Sequence, residues 1–284
     1  MRTDWRRSRF SRVLADATGL MGFIFVGLIV LVAVFAPWIA PYAPEEIDVM
    51  NRLAGPSAEH WLGTDQLGRD TLSRLIHGSR IALLAALPAV ILGAVVGTVL
   101  GLIAGYFGGI VDNVLLTFFD IVRSFPAMLF AIAIIALTGP SMFMVVAIMA
   151  ATRFPTYGRL VRAQVLKVRE EEFVMASRAA GSPAGRIMRI DLLPNVLARL
   201  FIQAAMDIPI VITFEAGLSF LGLGVPPPTP SWGSILQEGY AYVRATPWLI
   251  TFGSAVLVVA TLGFTFFAEA LRDAFDVKLR NDAT

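Results

Sequence analysis

Six apolar runs, each long enough to cross a bilayer, alternate along this chain with polar segments that carry most of its charge. They fall near residues 19–40, 80–105, 113–138, 141–163, 196–222 and 247–271. A helix needs about 20 apolar residues to cross a hydrocarbon core of roughly 30 Å. The pattern therefore predicts an all-α, polytopic membrane bundle of six transmembrane helices, with a segment at 1–18 preceding it and one transmembrane domain over 19–284. The loop at 164–195 stands out among the polar segments, because it is charged yet rich in Ala and Gly.

Composition agrees with the bilayer as solvent. The chain is 57% hydrophobic and 15% charged, with a mean hydropathy of +0.73, against roughly 45–50% and 25% in globular proteins. No cysteine is present, so disulfides, thiolate nucleophiles and cysteine-based metal sites are excluded. The first apolar run follows Arg6, Arg7, Arg9 and Arg12, as a signal peptide would. Its length from Gly19 to Ile39 exceeds the usual apolar region of about 7–15 residues and reads as a retained anchor.

Charge distribution sets the orientation. Arg2, Arg6, Arg7, Arg9 and Arg12 lie at the N-terminus. Arg162, Lys167, Arg169, Arg178, Arg186 and Arg189 lie in or beside the central loop, and Arg272, Lys278 and Arg280 in the tail. Six spans put these three groups on one side, expected to be cytoplasmic. The opposite side receives residues 41–79, weighted to acids by Glu45, Glu46, Asp48, Glu59, Asp65 and Asp70.

Gly93, Gly97, Gly101 and Gly105 recur every fourth residue in the second run, a spacing that stacks them on one helical face for close packing. Asp120, Arg123, Asp207, Glu215 and Glu269 lie in or near spans. Such groups are costly in lipid and usually face a bundle interior or an aqueous path. Asp120, Arg123, Asp207 and Glu215 are thus candidates for a translocation path, with Asp120 and Arg123 able to neutralise one another three residues apart. Pro126, Pro155 and Pro209 each remove a helical hydrogen bond and are expected to kink or break their spans.

In the outer segment, Pro37, Pro41 and Pro44 are expected to end the first helix. GTDQLGRD at 63–70 reads as a turn, followed by a short amphipathic helix at Leu72–Ile76. Asp65, Arg69 and Asp70 are candidates for ordering this loop as a docking surface for an extracytoplasmic partner. The Pro-rich stretch from Val225 to Tyr240 is expected to hold Trp232 at the membrane interface.

In the central loop, residues 170–180 predict a short helix with Glu170, Glu171 and Glu172 favoured in its first turn by the helix dipole. Ala176, Ser177, Ala179 and Ala180 keep it slim, and Gly181 suits a C′ position with φ > 0. Ser182-Pro183 reads as a cap and first residue of a second helix through Arg189, and Pro194 as the opening of the fifth span. Two short helices joined by glycine make a knob that could enter a groove on a partner.

The small pair Ala176-Ser177, then Gly181, then Leu193-Pro194 resembles the coupling loop of permease subunits of bacterial ABC importers. Met175 stands where many such loops have Glu, and Asp191 where Ile is common. Both departures resemble the dipeptide/oligopeptide/nickel branch, as do GTDQLGRD at 63–70, Phe125-Pro126, LSFLGLGVPPPTPSWG at 218–233 and LRDAFDVKLR at 271–280. The resemblance covers nearly the whole chain. It implies a type I permease fold, a second permease completing the pore, two cytoplasmic ABC ATPases that bind ATP and Mg, and an extracytoplasmic substrate-binding protein. It further implies that Ala176, Ser177, Ala180 and Gly181, supported by Arg178, Arg186, Leu193 and Pro194, meet the ATPase groove. Di- and oligopeptides are the expected cargo, with nickel complexes or opines as alternatives in the same branch.

Other classes lack their residues. His60 and His77 are the only histidines, and there is no HExxH or GxSxG motif for an intramembrane enzyme. No Walker A loop is present, so ATP is handled elsewhere. An ion-coupled carrier could use Asp120, Asp207 and Glu215, yet would leave the knob unexplained. The arginine clusters that might suggest nucleic-acid binding are already accounted for by topology.

Overall fold

A computed structural model describes residues 16–281, with side chains through Phe275. The basic N-terminal residues Arg2, Arg6, Arg7, Arg9 and Arg12, and the tail residues Lys278 and Arg280, lie outside the described side chains. Among the described residues every regular element is helical: α1 Ala17–Ile39, α2 Thr71–Phe107, α3 Gly109–Ser124, α4 Ala127–Thr138, α5 Met142–Val168, α6 Glu172–Ala179, α7 Ala184–Phe220, α8 Trp232–Ala241 and α9 Trp248–Asn281.

Four of these are long and apolar enough to span a membrane: α1, α2, α7 and α9 through Phe275. A fifth is available if α3 and α4, bent by 79° at Phe125-Pro126, count as one broken span. The bend follows from proline's missing N–H and from its steric push on the preceding residue, which takes the extended conformation (φ −85°, ψ 130°). The remaining long helix, α5, has 27 residues but carries Arg153, Arg159 and Arg162, which lower its apolar character.

Several boundaries differ from the expectation. The outer LSRLI pattern is no separate helix: it is the first turn of α2, which begins at Thr71 because the Asp70 carboxylate accepts from Ser73 N and Oγ, both at 2.8 Å. The first helix runs past Pro37 to Ile39. Pro155 and Pro209 sit inside helices that continue through them, since each ring removes one hydrogen bond while neighbouring bonds and packing persist.

The chain divides into two compact units. Among the described residues, one is drawn from those through Leu87, from Ala131–Val146 and from Ile208 onward, the other from Pro88–Phe130 and Ala147–Asp207. In the first, α1 packs along α9 so closely that a Cβ on Gly22 would stand 2.4 Å from the Phe267 backbone nitrogen. Trp232 is buried here, and its indole N–H donates to the Leu75 carbonyl at 3.0 Å. It therefore anchors α8 to α2 and is no interfacial residue: a buried N–H needs an acceptor, and this one finds it in protein.

In the second unit the glycine row of α2 finds its neighbour within the chain. A Cβ added at Gly97 would lie 2.4 Å from Phe154 O, and one at Gly101 2.5 Å from Gly158 O. The row thus seats α2 directly on the α5 backbone, and a lipid-facing helix gains dispersion contact by that approach. Below it, Leu102, Val161, Val165, Val174, Ile187, Leu192 and Val196 form one apolar cluster.

Candidate functional site

The central loop is built as an anchored projection. Its helix α6 carries Glu172 in the first turn and buries a single residue, Val174, in the apolar cluster. It ends as the glycine predicts: Gly181 has φ +74°, Gly181 N donates to Arg178 O at 2.9 Å, and Ser182 N donates to Ser177 O at 3.1 Å. These two bonds are a Schellman motif, which satisfies carbonyls left open at the helix end. The chain then turns at Pro183 (φ −64°, ψ 147°), which itself precedes α7, so Ser182 is not the cap that the sequence suggested. Ser182 belongs instead to the end of α6, where its N–H closes the Schellman motif, and Pro183 takes the entry position.

Nor does Pro194 open a new span. Helix α7 runs on from Ala184 to Phe220, with a π-type segment over Ile187–Leu192. Leu193 N donates to Met188 O, five residues back, immediately before the proline that would otherwise interrupt the ladder. Asn195 Nδ2 donates to the Asp191 carbonyl at 2.6 Å, a side-chain tie across the same turn. The central loop is therefore continuous with the following span. Leu193 is half-buried beside the cluster and Pro194 is exposed.

On the outer side of the knob Ala176, Arg178, Ala180, Gly181 and Arg186 are exposed, and Ser177 is half-buried. Two larger residues join them: Phe173 and Met175 leave 47% and 49% of their surface uncovered. Sequence reasoning left Phe173 aside and noted Met175 only for its departure from related loops. Their signal was an apolar pair flanking Val174 in a short amphipathic helix, where only the middle residue is claimed by the core. Arg178 turns back onto the chain, its guanidinium 4.9 Å from the Tyr106 ring centroid. Arg169 does likewise, donating to Gly105 O at 2.9 Å. Both basic residues tie the loop region to the end of α2.

The charges in the spans are sorted by partners that adjacency in sequence did not reveal. Asp120 pairs with Arg159, and the expected bond to Arg123 does not form; Arg123 reaches Thr156 Oγ1 at 3.5 Å. Arg162 engages Asp112 through two nitrogens, with Nε to Oδ1 at 2.9 Å. Arg153 lies 3.6 Å from Asp207, which also accepts from Gln203 Nε2 at 3.2 Å. A single helix, α5, thus answers three acids with three arginines. A count of basic residues inside that apolar run would have been the signal. Asp207 is fully buried, and Glu215 is buried and accepts from Ser219 Oγ at 2.6 Å. Asp120 and Arg123, by contrast, are exposed.

The outer-loop residues are internal. Asp65, Arg69 and Asp70 are all buried. Asp65 accepts from Leu67 N (2.8 Å), Arg69 N (3.0 Å) and Arg69 Nε (2.6 Å), and also pairs with Arg74. Glu238 of α8 closes the cluster, with Oε1 3.1 Å from Arg69 Nη2 and 3.0 Å from Arg74 Nη2. Two carboxylates thus balance two guanidiniums. Asp70 meets His60 Nδ1 at 3.0 Å. These side chains hold the loop and are themselves out of a docking partner's reach. Asp48, on the same loop, has its carboxyl held below the usual range by hydrogen bonds from Asn51 Nδ2 (2.8 Å) and Met50 N (3.0 Å). Among the described residues no group of three or more His, Asp or Glu side chains is placed to hold a metal.

Comparison with known proteins places this geometry. Residues 97–281 match the family model of the binding-protein-dependent transport system inner membrane component, and residues 5–56 that of the N-terminal TM domain of oligopeptide transport permease C. The chain is 40% identical to the dipeptide transport system permease protein DppC of Alkalihalophilus pseudofirmus over 98% of its length and 91% of that protein. It is also 40% identical to the di/tripeptide transport system permease protein DppC of Pseudomonas aeruginosa, covering 93% and 89% of the two chains. Against the probable D,D-dipeptide transport system permease protein DdpC of Escherichia coli the identity is 36%, over 90% and 86%. Among solved structures, a chain of the inward-facing MetNI methionine ABC transporter superposes with a TM-score of 0.56 over 71% of this chain and 96% of that one, at 20% identity. That likeness is one of fold.

Proposed function

Because the chain belongs to the family of binding-protein-dependent transport system inner membrane components, we propose that it is the permease subunit of an ATP-driven importer of di- and oligopeptides. The observation that carries this reading is the knob: a short helix anchored by one buried valine, stopped by a Schellman glycine, and leaving Phe173, Met175, Ala176 and Ala180 uncovered. Exposed apolar residues on a rigid projection mark an interaction surface. The peptide names of the relatives support the cargo.

In this reading a second permease completes the pore, two ATPases bind ATP and Mg beneath, and a binding protein delivers substrate outside. Helix α5 counts as a span despite its arginines, since all three have acidic partners. With the broken α3–α4 pair this gives six spans and both termini on the basic, cytoplasmic side. The chain itself performs no chemistry. It transmits closure of the ATPases from the knob, through the cluster of Val174, Ile187 and Leu192, into α2, α5 and α7.

Replacing Gly181 with Val tests the knob. No atom lies within 4 Å of the added Cβ, so the substitution acts through the φ of +74° alone, a conformation that costs an L-residue roughly 1–2 kcal/mol. The assembled complex should still be recovered from membranes with its ATPases, while peptide uptake per ATP hydrolysed falls. Normal uptake by this variant refutes the knob as the coupling element; purification of the wild-type chain without any ATPase refutes the importer reading.

A further inference from the structure

Helix α3 presents three faces, and one of them is out of place in a membrane. Its first face is packed within its own unit, where Phe119 and Asp112 are buried. Its second is uncovered and apolar, with Ile110, Val114 and Ile121 between 55% and 82% exposed. The third is uncovered and polar. Asn113, Thr117, Asp120 and Ser124 follow one another at helical spacing and all are exposed. At 3.6 residues per turn they fall within an arc of roughly 60°.

Lipid suits the second face and not the third. Thr117 and Ser124 quiet their hydroxyls by donating to the Asn113 and Ile121 carbonyls, at 2.8 and 2.7 Å. The Asp120 carboxylate has no such outlet. It pairs with Arg159, and the two side chains keep 66% and 38% of their surface uncovered. A half-open ion pair inside a span needs water or a polar partner, because charge at mid-bilayer costs at least about 2.5–3.5 kcal/mol. The other candidate acids do not share this need: Asp207 and Glu215 are closed off within the protein.

We propose that the Asn113–Thr117–Asp120–Ser124 stripe of α3, with Arg159 beside Asp120, is the wall that this subunit contributes to the aqueous peptide path. The inference rests on the importer reading above. Its chemistry matches a zwitterionic cargo. One carboxylate and one guanidinium lie side by side, able to part transiently toward a peptide's terminal ammonium and carboxylate. Because they neutralise each other when the path is empty, neither holds a substrate tightly, and transport requires release as much as binding.

The absence of native cysteine makes the test direct. Single cysteines are placed at 113, 117 and 124 on the stripe and at 114 and 121 on the apolar face. Each variant complex, with its ATPases and second permease, is reconstituted in vesicles and treated with a charged methanethiosulfonate that cannot enter lipid. Modification at the stripe at least about tenfold faster than at 114 and 121 is expected, slowed by a transported dipeptide. At Thr117→Cys, adding Asp120→Asn should raise the ratio of anionic to cationic reagent rates several-fold. A stripe as unreactive as the apolar face, in complexes that still take up dipeptide, overturns the proposal and leaves the importer reading intact; the stripe is then sealed against the second permease. Complexes that label at the stripe but carry no peptide keep the aqueous wall and remove the peptide assignment.

Discussion

Gly97→Ala probes the packing on which the second unit depends. The added methyl would sit 2.4 Å from Phe154 O, 2.5 Å from Tyr157 Cβ and 2.9 Å from Gly158 N, where ordinary contact begins at 3.4 Å. Two of these three atoms are backbone and have no rotamer to change, so α2 and α5 must separate by on the order of 1 Å, a gap at which each contact forfeits a quarter to a half of its attraction. Overpacking of this kind costs about 1–3 kcal/mol. Alanine's better helix propensity returns about 1 kcal/mol, leaving a net loss of up to about 2 kcal/mol. Gly27→Ala is the matched control, because it lies inside α1 with nothing within 4 Å of the new Cβ. Thermal unfolding of the two purified variants in one detergent should move in opposite directions, down for Gly97→Ala and level or up for Gly27→Ala. A Gly97→Ala variant as stable as wild type would refute the close-contact account of the glycine row.

Glu238→Gln leaves Arg69 and Arg74 facing Asp65 alone, one positive charge in excess in a buried cluster. The expected loss lies toward the lower end of roughly 3–5 kcal/mol, since a fifth of the Glu238 side chain is exposed. It should be read as lowered thermal stability together with faster proteolysis in the loop of residues 41–70. Trp232→Phe keeps an aromatic ring but removes the indole donor to Leu75 O, a carbonyl within the α2 ladder; a loss of about 0.5–1.5 kcal/mol is expected in the same melt. Removing the Tyr106 ring with Leu releases Arg178 and should cost only about 0.5–1 kcal/mol. Its larger effect is expected on peptide uptake per ATP, because it cuts one tie between the knob region and α2.

What sequence alone determined is what depends on local chemistry and on the bilayer. Apolar length announced the four long helices α1, α2, α7 and α9, the four-residue glycine rhythm announced a packing face, and Gly181 announced a left-handed helix end because few other residues take that backbone conformation. Phe125-Pro126 announced the break between α3 and α4 for an equally local reason. Tertiary structure decided everything that required a partner distant in the chain. Asp120 has Arg123 three residues away and still chooses Arg159, because α5 brings a guanidinium that one helical turn does not place as well. Trp232 looked interfacial until α2 offered its indole an acceptor 157 residues away. Ser182 and Pro194 carried sound boundary signals, and a continuous helix overrode Pro194 by inserting a wider turn ahead of the ring. Asp207 and Glu215 resembled Asp120 as charges in apolar runs, and only burial separates two sealed acids from one that meets the outside. Composition fixes the cost of a charge in a membrane, but which surface pays that cost is a property of how the helices face one another.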